Sequence, residues 1–126
     1  MARIITVRTG TIRLEAELNE TPAADAVWNT LPYEAPGSMW GYELYFRIPE
    51  ELDIGPENRQ DVVETGDLGY WPAGNAFCIF YGPTPASTDE RPRPVSPVTV
   101  FGKVFGDATG LSAARAGAIV FVRRKE

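Results

Sequence analysis

Three charged side chains and one thiol stand inside aromatic or apolar runs, where chemistry is most easily arranged. Glu43 and Arg47 sit in Trp40-Gly41-Tyr42-Glu43-Leu44-Tyr45-Phe46-Arg47. Asp67 and Cys78 sit in the run from Gly66 to Pro83, which packs two Tyr, one Trp and two Phe around a turn. A carboxylate held in a dry pocket has a raised pKa and can act as acid or base, so Glu43 and Asp67 are the candidates for that role. Outward, solvated charges are the ordinary alternative for both. Glu43 and Arg47 are four apart, on one face of a strand, and could pair or hold a charged ligand group. Cys78, in the most apolar segment, reads as a buried inert thiol, with neither His nor a local cation to lower its pKa.

The chain contains no histidine. That removes Ser-His-Asp and Cys-His catalysis, the commonest metal ligand and the usual proton shuttle. Asp53 and Glu57, around Gly55-Pro56, lack the density of oxygens a calcium loop requires. No metal site and no cofactor are expected. Trp40, Tyr45, Tyr70 and Trp71 either stack on an apolar or planar ligand or serve the fold, Tyr70 and Trp71 by plugging the end of a barrel. The candidate ligand-binding set is therefore Trp40, Glu43, Tyr45, Arg47, Tyr70, Trp71, Cys78 and Phe80.

The elements that must position these groups are mostly strands. Arg3–Arg8 and Thr11–Leu18 read as a hairpin turned at Thr9-Gly10, with Ile12, Leu14, Ala16 and Leu18 alternating against polar partners. Thr21-Pro22 opens a helix that Leu31-Pro32 ends, with Val27, Leu31 and Ala24 inward. Residues Tyr42–Ile48 alternate again, with Tyr42, Leu44, Phe46 and Ile48 on one face and Glu43, Tyr45 and Arg47 on the other. Glu50–Arg59 reads as loop and Asp61–Glu64 as a short strand. Pro72-Ala73-Gly74 makes a turn into Ala76–Tyr81, an apolar run of the kind buried on both faces. The proline-rich stretch Pro83–Pro97 is a long loop, a candidate contact element for a partner or a second copy. Val98–Phe105 is a strand, Ala108–Ala116 a short helix ended by Gly117, and Ala118–Arg123 a last strand. Strands at short spacing with two short helices point to a mainly β fold, a barrel capped by helices.

At 126 residues, 44% of them hydrophobic and 23% charged, the chain is one domain with one core. A net charge of −5 argues against a nucleic-acid partner, and Arg123-Arg124-Lys125 reads as a solvated tail. No apolar stretch is long enough to span a bilayer and no secretory signal is visible, which with a single cysteine points to the cytoplasm. Monomer and homodimer both remain open.

The order of motifs resembles the cyclophilins. Gly10–Leu18 with Thr21–Ala26 resembles their second strand and proline-entered helix. Ala76-Phe77-Cys78-Ile79 stands where they carry Gln-Phe-Phe-Ile, and Val100-Phe101-Gly102-Lys103-Val104 matches their Val-Phe-Gly-Lys-Val. Trp40-Gly41-Tyr42-Glu43-Leu44-Tyr45-Phe46 and Gly66-Asp67-Leu68-Gly69-Tyr70-Trp71-Pro72-Ala73-Gly74 look closer still to a small group of uncharacterised bacterial and archaeal proteins with a cyclophilin-like fold. The resemblance implies a closed or nearly closed eight-stranded β-barrel with two short capping helices.

Prolyl isomerase activity, which lowers a rotation barrier of about 18–20 kcal/mol, is not implied with it. Ala76 replaces the family's Gln, Cys78 its pocket Phe, Val98 its His, and Arg93 falls near its Trp. Arg47 stands two residues before Pro49 instead of three, so only a bulge would return it to the catalytic direction. The expectation is a non-catalytic module binding a small apolar ligand or a proline-containing peptide. A peptidyl-prolyl isomerase or another carboxylate-based enzyme is the alternative.

Overall fold

The computed structural model describes residues 2–56 and 58–125; Met1, Glu57 and Glu126 lie outside it, and with Glu57 one half of the Asp53/Glu57 pair. β1 (Arg3–Thr9) and β2 (Ile12–Leu18) form the expected hairpin, in register from Arg3↔Leu18 to Thr9↔Ile12. Their inward set, Ile5, Val7, Ala16 and Leu18, is buried. α1 (Pro22–Thr30) is capped by Thr21, whose Oγ1 accepts from the Ala24 amide at 3.1 Å, and it buries Ala23, Ala24 and Val27.

Next come β3 (Tyr33–Pro36), β4 (Ser38–Met39), β5 (Glu43–Arg47), β6 (Arg59–Gln60), β7 (Asp67–Trp71), β8 (Ala76–Phe80), β9 (Val98–Val104) and β10 (Ile119–Arg124). They form one antiparallel sheet in the order β3-β10-β1-β2-β9-β7-β8-β5-β4, with β6 added on β9. The eight longer strands match the expected number, and β4 and β6 are two-residue additions. No ladder joins the two ends of the sheet, so the barrel is nearly closed. The ends are consecutive in the chain and meet at Gly37, where a Cβ would stand 2.9 Å from both Leu44 Cδ1 and Val120 Cγ2. Inside lie Phe46, Phe77 and Phe101, stacked at 4.7 Å and edge-to-face at 5.0 Å.

Several expected elements differ. Residues Asp61–Glu64 form no strand. The Val63 amide donates to the Pro92 carbonyl and the Glu64 amide to Asp67 Oδ2. Pro92 has no amide to return a bond, so no ladder forms there. Pairing occurs earlier, at Arg59–Gln60. Ala108–Ala113 is a 3-10 helix, shorter than expected, with Gly110 in its middle. Pro72–Gly74 is likewise a single 3-10 turn. Tyr42 lies outside β5 and is exposed. The Pro83–Pro97 loop is tied down: Thr84 Oγ1 donates to the Arg93 carbonyl, Ser87 Oγ to that of Arg91, and Pro92 and Pro94 are buried. Among the described residues, no helix is long and apolar enough to cross a membrane.

Candidate functional site

Period-two alternation assigns each strand residue to the barrel interior or to its outer surface. On β5, Leu44 and Phe46 go inward and Glu43, Tyr45 and Arg47 outward; on β8, Phe77 and Ile79 go inward and Ala76, Cys78 and Phe80 outward. The outward set of β8 is nevertheless buried, so this strand is covered on both faces, as its unbroken apolar run suggested. The cover is a second cluster of Val63, Ala76, Cys78, Phe80 and Val98, flanked by Tyr45, Trp71 and Val100. Gly69 on β7 keeps that cluster tight, because a Cβ there would come within 3.0 Å of Phe80 and 2.9 Å of Val98.

At the edge of this cluster a pocket of about 190 Å³ opens, lined by Trp40, Glu43, Tyr45, Trp71, Pro94 and Val95. The Tyr45 and Trp71 rings meet edge-to-face at 6.2 Å. Trp71 Nε1 donates to Ser96 Oγ at 2.6 Å, which anchors the indole to the proline-rich loop. Trp40 is presented by a tight turn in which the Trp40 and Glu43 backbones exchange hydrogen bonds at 3.0 and 3.2 Å. Gly41 makes that turn possible: its φ is +59°, and a side chain would strike Pro85 Cδ at 2.7 Å.

Glu43 is only 6% exposed and makes no ion pair among the described residues. Burial pushes its carboxyl up to about 7, against the opposing pull of a hydrogen bond with the Cys78 thiol. The thiol is pushed well above its ordinary value, chiefly by burial and further by Glu43. The pocket therefore holds a carboxyl that is mostly protonated in mildly acidic solution and about half protonated at neutrality, beside aromatic and apolar side chains.

Asp67 has a different setting. Burial raises its pKa while the Glu64 amide, at 2.9 Å, and Lys103, at 3.8 Å, stabilise the charge, and it takes no part in the pocket.

Of the eight candidates, Trp40, Glu43, Tyr45 and Trp71 come together as pocket wall. Cys78 and Phe80 are buried beside them. Arg47 shares the outward face but is exposed, opposite Ala76, and does not reach the pocket; β5 pairs with β8 without a bulge. Arg47 and Glu43 thus do not meet. Tyr70 turns the other way, into the barrel, where its hydroxyl donates to Asn75 Oδ1 at 2.7 Å. Alternation already separates Tyr70 from Trp71, since neighbours on a strand face opposite sides. Pro94, Val95 and Ser96 were not among the eight candidates, although the proline-rich stretch that holds them was expected to be a contact element. Of the other positions compared with the isomerases, Ala76 and Val98 are buried with Cys78, and Arg93 lies 4.0 Å from Asp61. Among the described residues, no group of three or more His, Cys, Asp or Glu is placed to hold a metal ion.

The family described as Cyclophilin-like matches residues 3–123, nearly the whole chain. This chain belongs to the Cyclophilin-like family. The solution structure of the hypothetical protein AF2241 from Archaeoglobus fulgidus is 35% identical with a TM-score of 0.84, over 98% of this chain and 95% of that one. McbB, solved in complex with tryptophan, is 19% identical with a TM-score of 0.70, over 96% of this chain and 44% of McbB, and shares the fold. No curated protein matches the chain. The Cyclophilin-like assignment agrees with the nearly closed barrel.

Proposed function

We propose that this Cyclophilin-like protein is a binding module whose outer pocket takes one ring of a small apolar ligand or of a proline-containing peptide. The observation that carries the reading is a lone buried carboxyl, Glu43, set among Trp40, Tyr45, Trp71, Pro94 and Val95. Its size points to a single ring: about 190 Å³ is below the roughly 300–1,000 Å³ of pockets for drug-sized ligands. A protonated carboxyl donates one hydrogen bond, so the fitting partner offers an acceptor, such as the amide carbonyl beside a prolyl ring. McbB, which shares the fold, was solved with tryptophan, an aromatic amino acid of comparable ring size. Arg47, exposed and away from the pocket, supports binding without prolyl isomerisation. A single buried free thiol suits a reducing cytoplasm.

One observation favours a second reading. A carboxyl near 7 inside a cleft is also what general acid–base chemistry uses.

Titration of the intrinsic Trp emission with Xaa-Pro tetrapeptides and with small indoles and phenols tests the proposal. A saturable change is expected, abolished in Trp71→Ala, weaker by about tenfold in Glu43→Leu as one hydrogen bond is lost, and weaker above pH 7 as Glu43 ionises. Silence across both panels overturns it. Proline-peptide turnover that survives in the wild type and fails in Arg47→Ala would replace it with isomerase activity.

A further inference from the structure

A second cavity, of about 460 Å³, lies on strands that the Trp71 pocket does not use, and its lining carries charge. β1 sends Ile5 and Val7 into the core, so Thr6 and Arg8 face outward. Across the ladders Thr6 is opposite Arg123 on β10, while Arg8 is opposite both Arg13 on β2 and Phe121 on β10. All five residues line the cavity, with Pro32, Tyr33 and Val122 and a single carboxylate, Glu34.

Two features of this face are unfavourable for the empty fold, the like charges of Arg8 and Arg13 and an orphaned Thr6 hydroxyl, and a third leaves guanidiniums free to meet an anion. Arg8 and Arg13 are like charges directly opposite each other, a cross-strand pairing that destabilises a sheet. In a chain of net charge −5, Arg8 and Arg123 have no carboxylate partner among the described residues, and Arg13 has only Glu15, at 3.4 Å. Thr6 is 4% exposed, yet its Oγ1 has no hydrogen-bond partner, and an orphaned buried hydroxyl costs stability. An anion seated among the guanidiniums offsets the like charges and offers the Thr6 hydroxyl an acceptor. Phe121, 38% exposed with Arg8 stacked 4.9 Å from its ring, adds a flat apolar wall beside the charge.

We propose that this cavity binds a phosphate monoester carried on a small planar body. The guanidiniums of Arg8, Arg13 and Arg123 fork onto the phosphate oxygens, the Thr6 hydroxyl donates from the floor, and the planar body lies against Phe121. The three guanidiniums outnumber the carboxylates of this face, Glu34 in the lining and Glu15 opposite Thr6, so an anion is favoured, and guanidinium forks match the oxygens of a phosphate. The volume falls within the roughly 300–1,000 Å³ range of small-molecule sites. This site is independent of the Trp71 pocket and of its proposed ligand.

Phenyl phosphate is the probe, followed by titration calorimetry and by the phosphorus resonance, with inorganic phosphate and benzoate as comparison ligands. Saturable binding is expected, with phenyl phosphate tighter than either comparison ligand by about tenfold, since each lacks one half of the site. Arg8→Gln and Arg123→Gln are each expected to weaken it by about tenfold or more, and Thr6→Val by about tenfold, the worth of a hydrogen bond to a charged group. Arg8→Lys, which keeps the charge and loses the fork, is the second variant should the neutral ones fold poorly. Thr6→Val separates binding from folding, because removing an orphaned hydroxyl leaves the melting temperature unchanged or higher while affinity falls. Absence of saturable binding at about 10 mM overturns the proposal. Affinity that is equal for all three ligands, or insensitive to Arg8, Arg123 and Thr6, also overturns it.

Discussion

Glu43 concentrates both the chemistry and the cost of the outer pocket. Its carboxyl rises from 4.5 to about 7 because burial removes water from the charged form. At about 1.36 kcal/mol per pKa unit, this is of the order of 3 kcal/mol. The folded protein keeps a proton on Glu43 that the unfolded chain has released once pH exceeds 4.5. Stability is therefore undiminished below that value, falls as pH climbs to about 7, and stays reduced above it. Asp67, also raised by burial, adds to the loss in the same direction. Urea unfolding at pH 5 and pH 8 is expected to show the wild type weaker at pH 8. Glu43→Gln, which cannot ionise, is expected to be more stable than wild type at pH 8 by about 1–3 kcal/mol, with the advantage reduced to less than about 1 kcal/mol at pH 5. A wild-type chain equally stable at both values, with no gain in the variant, would show that Glu43 is solvated. The candidate itself was legible: a carboxylate within an aromatic strand is conspicuous. Its burial was not, because Pro94 and Val95, which help enclose it, lie some fifty residues further along the chain.

Among the elements, the connection between β7 and β8 is held by one side chain that sequence reasoning did not single out. Asn75 adopts a left-handed conformation, φ 47°, after the 3-10 turn. Its Oδ1 accepts from the Tyr70 hydroxyl at 2.7 Å and the Leu52 amide at 3.1 Å. Its Nδ2 donates to the carbonyls of Ile48 at 3.2 Å and Glu50 at 2.8 Å. The segment following β5 is thereby stapled to the strand pair that carries Trp71. Asn75→Gly keeps the backbone conformation and removes these bonds, so a loss of about 2–4 kcal/mol is expected in chemical denaturation. Asn75→Ala adds about 1–2 kcal/mol for the left-handed residue. Equal stability of the Gly variant and wild type would confine the role of Asn75 to its backbone. The first hairpin, α1 and β8 were readable beforehand because periodicity and capping are local. Asp61–Glu64 and the shortened helix at Ala108 were misread because remote bonds and a central glycine decide them.

For the whole molecule, the barrel interior is the larger of the two apolar clusters described, and in it Phe77 is stacked on Phe46 and edge-on to Phe101. Phe77→Ala opens a cavity where neighbouring strands are held by ladders and cannot collapse, so a loss of about 3–5 kcal/mol is expected. Urea unfolding followed by both Trp emission and far-ultraviolet dichroism should shift as one transition. Separate transitions would mean that the outer cluster around Cys78 melts on its own. The near-closure of the barrel depends on the same interior: β3 and β4 share no ladder with each other, and their ends are held by side chains packed across Gly37.

The amino-acid order alone settles the alternating faces of the strands and the lack of histidine in this chain, and it carries an order of motifs that resembles the cyclophilins. These follow from short-range sterics, period-two geometry and composition, which need no knowledge of what packs on what. Alternation also requires that Tyr70 and Trp71 face opposite sides of their strand. It does not say which side becomes the interior and which becomes a pocket. That choice is made by contacts distant in sequence: Asn75 receiving the Tyr70 hydroxyl within, and Ser96 with Pro94 closing over Trp71 outside. The same holds for Arg8, Arg13 and Arg123, scattered charges along the chain that only the pairing of β1 with β2 and β10 gathers around one cavity.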